Sequence, residues 1–338
     1  MTTSTAEIIL NLLINHENEW VSGQELAASL NLSRAAIWKA IAKLTADGFT
    51  IESQRGPGKG YRYIPDEKMS AAGISHDLEH DITVQVFDSL PSTNVYAKQG
   101  LVNGDVTEPT VIIANIQTRG TGHFGRVFDS PAQTGLYLSF ALPVDPDQQV
   151  VPHLLATSLA VAVGRTVKAL FDIDLDFKWI NNIYYQGQKV GGILTEAIVN
   201  FETQTYSALV VGIGLNLTNK QTELGYLTSQ LAISRNQVAA ALIDQFLNLY
   251  DTYLDGKFLD DYRAHFSDLN QTIQVQCSQK ILSGKAVRID NDGRLILETA
   301  EGLEKLAAGT LQPEPQDDAK SSYAGRITKE MSALHFEQ

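Results

Sequence analysis

Two stretches of the chain hold residues whose types and spacing could do chemistry. The first is Gln117-Thr-Arg-Gly120-Thr-Gly122-His-Phe-Gly125-Arg126. Its glycines admit positive φ and let backbone N–H groups approach a ligand closely, while Arg119, His123 and Arg126 supply positive charge. That combination suits a phosphate or a carboxylate. The second is Lys189-Val-Gly-Gly-Ile-Leu-Thr-Glu196. Its two glycines either open space for a ligand beside a cation or mark a bulge next to a strand-edge lysine. Smaller polar sets accompany these. Ser92-Thr-Asn94 can hydrogen-bond a polar ring or simply cap the helix beginning near Val95. Lys178-Trp-Ile-Asn181-Asn182 interrupts a strand-like context, and Gly212-Ile-Gly214-Leu-Asn216 puts two glycines on one side of a buried strand.

A scaffold of strands and helices must position these groups. The glycine stretch follows Thr110-Val-Ile-Ile-Ala-Asn-Ile116, a β-branched run that reads as a buried strand. Its letters match Gly-x-Gly-x-x-Gly, but the dinucleotide fingerprint needs a helix to follow at once. Here Arg126 to Pro131 and then Leu136 to Leu142 read as loop and strand, so that reading is rejected. A mobile surface hairpin loop is the remaining alternative to a ligand loop. Strands are also expected at 83–87 and 208–217, a buried central helix over 151–171, and helices near 236–254 and 257–266. From Gln271 the texture changes to short strands and turns, a small all-β module ending near Leu311.

The N-terminus has a different character. An apolar helix over Thr5–Asn15 is followed by Ser22-Gly-Gln-Glu25, whose spacing is that of a capping box. Ser33 then caps a third helix with Ile37, Ile41 and Leu44 on one face and Arg34, Lys39 and Lys43 on the other. Strands at Phe49–Ser53 and Tyr61–Ile64 flank a loop with Arg55 and Lys59 at its tip. Helix, short turn, basic helix and ribbon make a winged helix-turn-helix, the competing reading being a small helical docking domain.

Composition narrows the function classes. A net charge of −13 argues against a protein that coats nucleic acid indiscriminately, yet residues 1–65 carry six basic and six acidic side chains and are neutral. The 43% hydrophobic content supports folded domains, and no sequence run reaches the apolar length of a membrane span. The single Cys277 can form no internal disulfide and builds no cysteine zinc site. No metal site built by the protein is expected, and a cytoplasmic location is.

Taken together, these motifs resemble the bifunctional biotin–protein ligases that double as biotin operon repressors. The resemblance covers about residues 5–312 and rests on Ser22-Gly-Gln-Glu-Leu-Ala, Ser33-Arg-Ala-Ala-Ile-Trp-Lys, Ser92-Thr-Asn94, the glycine loop, Lys178-Trp-x-Asn181, Lys189-x-Gly-Gly192-Ile-Leu-x-Glu196 and Gly212-x-Gly214-x-Asn216. It implies an α+β multidomain protein. Residues 1–65 would be the winged helix, 66–81 a linker, 82–268 a mixed α/β ligase domain, 269–312 a small SH3-like β-barrel and 313–338 a polar tail with a weak helix around 326–334. The implied activity converts biotin and Mg·ATP to biotinyl-5′-adenylate, then passes biotin to a lysine of a biotin carboxyl carrier protein. A homodimer would bind operator DNA, with no membrane involved.

The resemblance also implies site residues. Ser92, Thr93, Asn94, Gln117, Gly120, Thr121, Gly122, His123, Lys189, Gly192, Gly212 and Gly214 would surround biotin. Gly125, Arg126, Phe128, Lys178, Asn181, Asn182 and Asn216 would serve the nucleotide and its magnesium, with Lys189 and Arg126 catalytic. Ser22, Ser33, Arg34, Trp38, Lys39, Lys43, Arg55 and Lys59 would meet DNA. The chain departs from the family where Thr121 and His123 replace arginines, Asn182 an aspartate and Phe128 a tryptophan. Those changes weaken phosphate capture and metal contact, so a ligand-sensing regulator with a decayed ligase centre is the second reading, and lipoate attachment a third.

Overall fold

The computed structural model describes residues 4–311, apart from 17, 65–67, 201, 221–223 and 278–279; the expected tail and its weak helix lie outside the described residues. Serines start the N-terminal helices. Ser4 caps α1 (Thr5–Asn15) and Ser22 caps α2 (Gly23–Ser29), in capping boxes with Glu7 and Glu25, and Ser33 caps α3 (Arg34–Ala46) through the Ala36 amide. Ile9, Leu13, Leu26 and Ile37 are buried together in a core separate from the rest of the chain. Each such side chain contributes roughly 1.5–3 kcal/mol. The wing pairs β1 (Ile51–Ser53) with β2 (Tyr61–Tyr63), and the Trp20 ring lies 4.7 Å from both the Lys59 ammonium and the Arg62 guanidinium.

Residues 66–81, expected as an aperiodic linker, carry a helix. Ser70 caps α4 (Ala71–Asp77), whose Ile74 is buried with Met69 in the central core, while Ala72 packs against the N-terminal one. Two turns are too few for a helical period to show in sequence.

The central domain is a seven-stranded sheet. Its strands are β3 (Thr83–Phe87), β4 (Thr110–Ala114), β5 (Gly135–Pro143), β6 (Asp176–Lys178), β7 (Asn182–Tyr185), β8 (Gln188–Asn200) and β9 (Thr205–Asn216), in the order β3-β4-β5-β9-β8-β7-β6. Only β3 and β4 run parallel, joined through α5 (Thr93–Asn103); every other pair is antiparallel. On one face β4, β5 and β9 bury Val111, Leu138 and Val211 in one core with α6 (Pro152–Phe171) and α7 (Arg235–Tyr250). On the other, Ile112, Ala141 and Val210 pack with Ala97 of α5. Among described helices α6 alone has the length and apolar content to cross a bilayer, but 67% of its apolar window is buried, which makes it the central core helix.

Beyond α8 (Leu259–Ala264), strands β10 (Thr272–Cys277), β11 (Lys280–Ile289), β12 (Leu295–Thr299), β13 (Gly302–Leu306) and β14 (Thr310–Leu311) form one sheet ordered β13-β12-β11-β10-β14. β13 and β14 are its edges and do not pair with one another, so the ring of strands is not closed. Val275, Ala286, Leu295 and Leu297 belong to the same hydrophobic cluster as α6 and α8.

Candidate functional site

Strand register builds the floor of a cleft. Tyr137, Gly214, Gly192 and Asn182 lie side by side across β5, β9, β8 and β7, and Ser139, Gly212 and Leu194 form the row two residues along. Residues two apart share a face, so three glycines fall on one patch beside the start of α5. Side chains from elsewhere use the room. Asn94 closes on Gly212 and the Phe128 ring on Gly214, each so near that a Cβ at the glycine would overlap it. At Gly192 a Cβ would stand an ordinary 3.7 Å from Lys189 Nζ, so this glycine leaves space beside the ammonium.

A hydrogen-bonded set lines one wall. Ser92 caps α5 through the Val95 amide, so the capping alternative holds for this residue, while Thr93 and Asn94 turn inward and are buried. Gln117 accepts from the Thr93 amide at 2.8 Å and donates from Nε2 to Ser130 Oγ at 2.9 Å. Asn94 Nδ2 donates to Leu194 O and to Glu196 Oε2 at 3.2 and 3.1 Å. Ser139, fully buried, lies 2.6 Å from Asn94 Oδ1 and 2.7 Å from Thr93 Oγ1.

The glycine loop folds over this floor. Residue 117 pairs with 130 and 121 with 127, and His123–Gly125 form a single 3₁₀ turn closed by Gly125 at φ 72°. Thr121, Gly122, His123, Arg126, Val127 and Phe128 line the cleft with Ser92, Thr93, Asn94, Gln117, Asn181, Asn182, Lys189, Gly192, Gly212 and Gly214, around about 710 Å³ of space open to solvent.

The cleft concentrates positive charge. Burial, with Arg126 adding repulsion, holds the Lys189 ammonium below its ordinary pKa, and no described carboxylate pairs with it. Burial also lowers His123, reinforced by Lys189 and Arg126 and opposed by a hydrogen bond to the Ile193 backbone and by Glu196. Neutral imidazole is thus the form at neutral pH. Burial raises the Tyr137 phenol to about 12, and it donates to Pro131 O at 3.0 Å.

Four expected residues stand apart from the cleft lining. Gly120 packs against Phe128 O and Ser130 Oγ, where it lets the two limbs of the loop approach. Gly125 turns outward, and Lys178 is half-exposed, 3.6 Å from Asp268 and over the Tyr184 ring. Asn216 is fully buried beneath the cleft; its Nδ2 donates to Gly225 O at 3.2 Å and its Oδ1 finds no partner among the described residues. The lining contains no carboxylate, and no cluster of three metal-ligating side chains occurs among the described residues. These residues do not fit a protein-built magnesium site; amide oxygens of Asn181 and Asn182 are what the chain offers an ion carried by phosphates.

A second cleft, around about 910 Å³ of space open to solvent, lies on the far side of His123, between the start of α6, including His153, and β10 with residues 307–309 of the C-terminal module. On the N-terminal unit, Trp38 is 63% exposed beside Lys39 and Lys43, Arg34 reaches Gln24 at 3.1 Å, and Arg55 is exposed in the wing. Ser22 and Ser33 are helix caps with their hydroxyls engaged.

Sequence reasoning missed Ser139, Ile193, Leu194, Ser130 and Arg235. Ser139 had a signal, a lone hydroxyl in an apolar strand that register sets opposite Gly212. Arg235 had none, since a basic residue opening a helix normally faces solvent, whereas this one is buried against Asn115 and Gly135.

A basic loop over a glycine floor, one desolvated ammonium and an attached winged helix define a class: a DNA-binding unit joined to an α/β domain that handles a small anionic ligand. Three family models match the chain: an HTH domain over residues 6–62, the Biotin/lipoate A/B protein ligase family over 86–216, and the Biotin protein ligase C terminal domain over 268–311. The bifunctional ligase/repressor BirA of Bacillus subtilis strain 168 is 30% identical over 329 residues, covering 92% of this chain and 99% of that protein. Its Escherichia coli K12 namesake is 29% identical, covering 86% and 91%. A biotin protein ligase from Aquifex aeolicus, solved with biotin and ATP, superposes with a TM-score of 0.55 at 21% identity, covering 68% of this chain and 97% of that one. The chain belongs to the biotin protein ligase family, in its bifunctional ligase/repressor branch.

Proposed function

We infer that the protein activates biotin with ATP to biotinyl-5′-AMP, transfers biotin to a lysine of a biotin carboxyl carrier protein, and represses transcription as a biotin-responsive, cytoplasmic homodimer. The observation that carries this is Lys189, an ammonium held partly out of water without a carboxylate partner among the described residues, beside the gap at Gly192. Desolvation of an unpaired cation is unfavourable until an anion arrives, so the site is built for one.

In the first step a biotin carboxylate oxygen attacks the α-phosphorus and pyrophosphate leaves. Two anions must meet, and Lys189, Arg126 and the loop's backbone N–H groups offset the charge that develops. Thr93, Asn94 and Gln117 would orient the ureido ring, Phe128 and Asn181 the nucleotide, and magnesium would arrive with ATP and screen its phosphates. In the second step a carrier lysine attacks the acyl carbon, the C–O bond to phosphate breaks and AMP leaves. The second cleft, contiguous with the site through His123, is an approach for that amine. No covalent enzyme intermediate is needed, because positioning suffices.

Residues 1–65 would read two-fold operator half-sites through Trp38, Lys39, Lys43, Arg55 and Lys59, 66–81 would connect, 82–268 would carry the ligase and 269–312 a small SH3-like module. Convergence of Thr93, Asn94, Gln117, Arg126 and Lys189 on one cleft supports an intact centre over a decayed one. Incubation with biotin, ATP and a biotin carrier domain tests the reading. Biotinylated carrier and released pyrophosphate are the expected products; tight biotin binding with neither product would leave a sensor only.

A further inference from the structure

Two adjacent side chains on the first turn of α7 reach in different directions. Arg235 Nη2 donates to Asn115 Oδ1 at 2.8 Å and Nη1 to Gly135 O at 3.4 Å. Those acceptors bracket residues 116–134, so one buried guanidinium grips both roots of the glycine loop from beneath. Asn236 turns toward the interdomain segment. Its Oδ1 accepts from the Ser70 amide at 3.0 Å and its Nδ2 donates to Lys68 O at 3.0 Å. A Cβ on Gly73 would come within 2.8 Å of that Nδ2, so α4 lies against this asparagine as closely as a glycine permits.

Lys68 carries the path onward. Its ammonium donates to the carbonyl of Asp47, the C-cap of α3, and lies 5.1 Å over the Phe49 ring. A cation there also complements the negative end of the helix. The same ammonium is 3.5 Å from Asp88, in the turn whose Leu90 and Pro91 carbonyls accept from the amides of Thr118 and Arg119. The glycine loop therefore meets the end of α3 by two short routes, one through Arg235 and Asn236 and one through Asp88, and Lys68 closes both.

We propose that Arg235, Asn236 and Lys68 are positioning residues that couple the state of the glycine loop to the setting of the recognition helix α3. The inference rests on the reading above, in which biotin and ATP order the loop. Ordering fixes residues 115 and 135, which fixes the first turn of α7, the Lys68–Ser70 strap and the end of α3 against the sheet. A ligand shifts such a pair of states only through contacts that differ between them, and the hydrogen bonds of Arg235, Asn236 and Lys68 are of that kind. Arg235 acts from below the loop, outside the cleft lining.

The test uses the full-length protein and a DNA duplex selected by the wild type from a randomised pool in the presence of biotin and ATP. The readout is the ratio of DNA dissociation constants without and with the two ligands, a coupling that commonly spans about 5- to 150-fold. Asn236→Ala and Lys68→Met should bring the ratio to within about twofold of one, while biotin-dependent pyrophosphate release continues. A residue with a merely structural role would lower stability and leave the ratio alone. Arg235→Lys keeps the charge but cannot grip both roots, and should reduce the ratio and raise the biotin KM together. A ratio unchanged in all three variants overturns the inference and leaves the ligase reading standing; absence of pyrophosphate release in the wild type overturns that reading and the inference with it. Should the variants fail to fold, hydrogen exchange on the wild type decides. Biotin and ATP must slow exchange of the amides at residues 44–48, and unaltered exchange there refutes the coupling.

Discussion

Replacing Lys189 by methionine should separate function from stability. The substitution removes the ammonium and keeps an unbranched stem. A unit charge about 4 Å from a phosphate oxygen interacts by roughly 4 kcal/mol at an effective dielectric of about 20. Only the share that grows as oxygen attacks phosphorus accelerates the step. Removal of a donor aimed at such developing charge costs on the order of 3 kcal/mol, or roughly a hundredfold in adenylate formation. Stability should move the other way. Burial, then Arg126, lowers the folded-state pKa of Lys189 below its ordinary 10.5. The unfolded chain therefore binds this proton more tightly, and the lysine is a liability at neutral pH, relieved only as pH rises from the folded value toward 10.5. Lys189→Met should melt at a higher temperature than wild type without ligands, and lose the difference when biotin and ATP are added. Single-turnover pyrophosphate release and thermal melts measure both arms. Wild-type release, or a lower melting temperature, would show Lys189 to be an ordinary structural lysine.

The floor glycines should respond differently to the same substitution. Gly192→Ala makes only van der Waals contacts at 3.5–3.7 Å, so it should fold normally and raise the biotin KM, whereas Gly212→Ala drives into Asn94 and should lower both stability and ligand binding. A KM unaltered in Gly192→Ala would place biotin elsewhere. Because burial, Lys189 and Arg126 lower the His123 pKa, the unfolded chain takes up protons first as pH falls through its ordinary 6.5. Ligand-free protein should lose stability there, His123→Gln should lose less, and bound adenylate should be retained longer on acidification; melts against pH that coincide for both proteins would remove His123 from the account. Trp38→Ala, at a side chain 63% exposed, should leave the melting temperature in place and weaken operator binding, and intact affinity would take α3 off the DNA.

Much of the site was legible because its chemistry is local in sequence. Lys189 and Gly192 are neighbours on one strand, and the glycine loop is a single run, so residue type and spacing were enough. The N-terminal helices were legible for a similar reason, since Ser22 with Glu25 and Ser33 with Ala36 close their caps within three residues. What stayed hidden depends on distant pairing. The lone hydroxyl of Ser139 shows in its apolar strand but its role does not, because β9 sets Gly212 opposite it and α5 brings Asn94 above it, and no window around Leu138 contains either partner. Asn216, expected at the nucleotide, donates its amide to the Gly225 carbonyl, a partner nine residues on that no motif around Gly212 and Gly214 includes. The helix α4 escaped because its two buried residues, Gly73 and Ile74, are adjacent and cannot display a period.

The turn before β12 changes what the C-terminal module is. Arg263 of α8 donates to Ile289 O, Asp290 O and Asn291 Oδ1 at 2.8–3.0 Å, His153 Nε2 lies 2.9 Å from Asp292 O, and a Cβ on Gly293 would come within 2.7 Å of Leu154. The turn is thus plugged into α6 and α8 like a peg, and the sheet behind it shares their apolar cluster. A segment seated this way is poorly suited to independent exchange between relatives. Recombination near residue 268 would sever a common interior, whereas a crossover ahead of α4 would leave the N-terminal core and the central one each whole, parting α4 from α1 where Ala72 meets it. On this geometry the lineage could shuffle its DNA-reading unit far more readily than its tail-end sheet, whose residues must vary in step with α6 and α8.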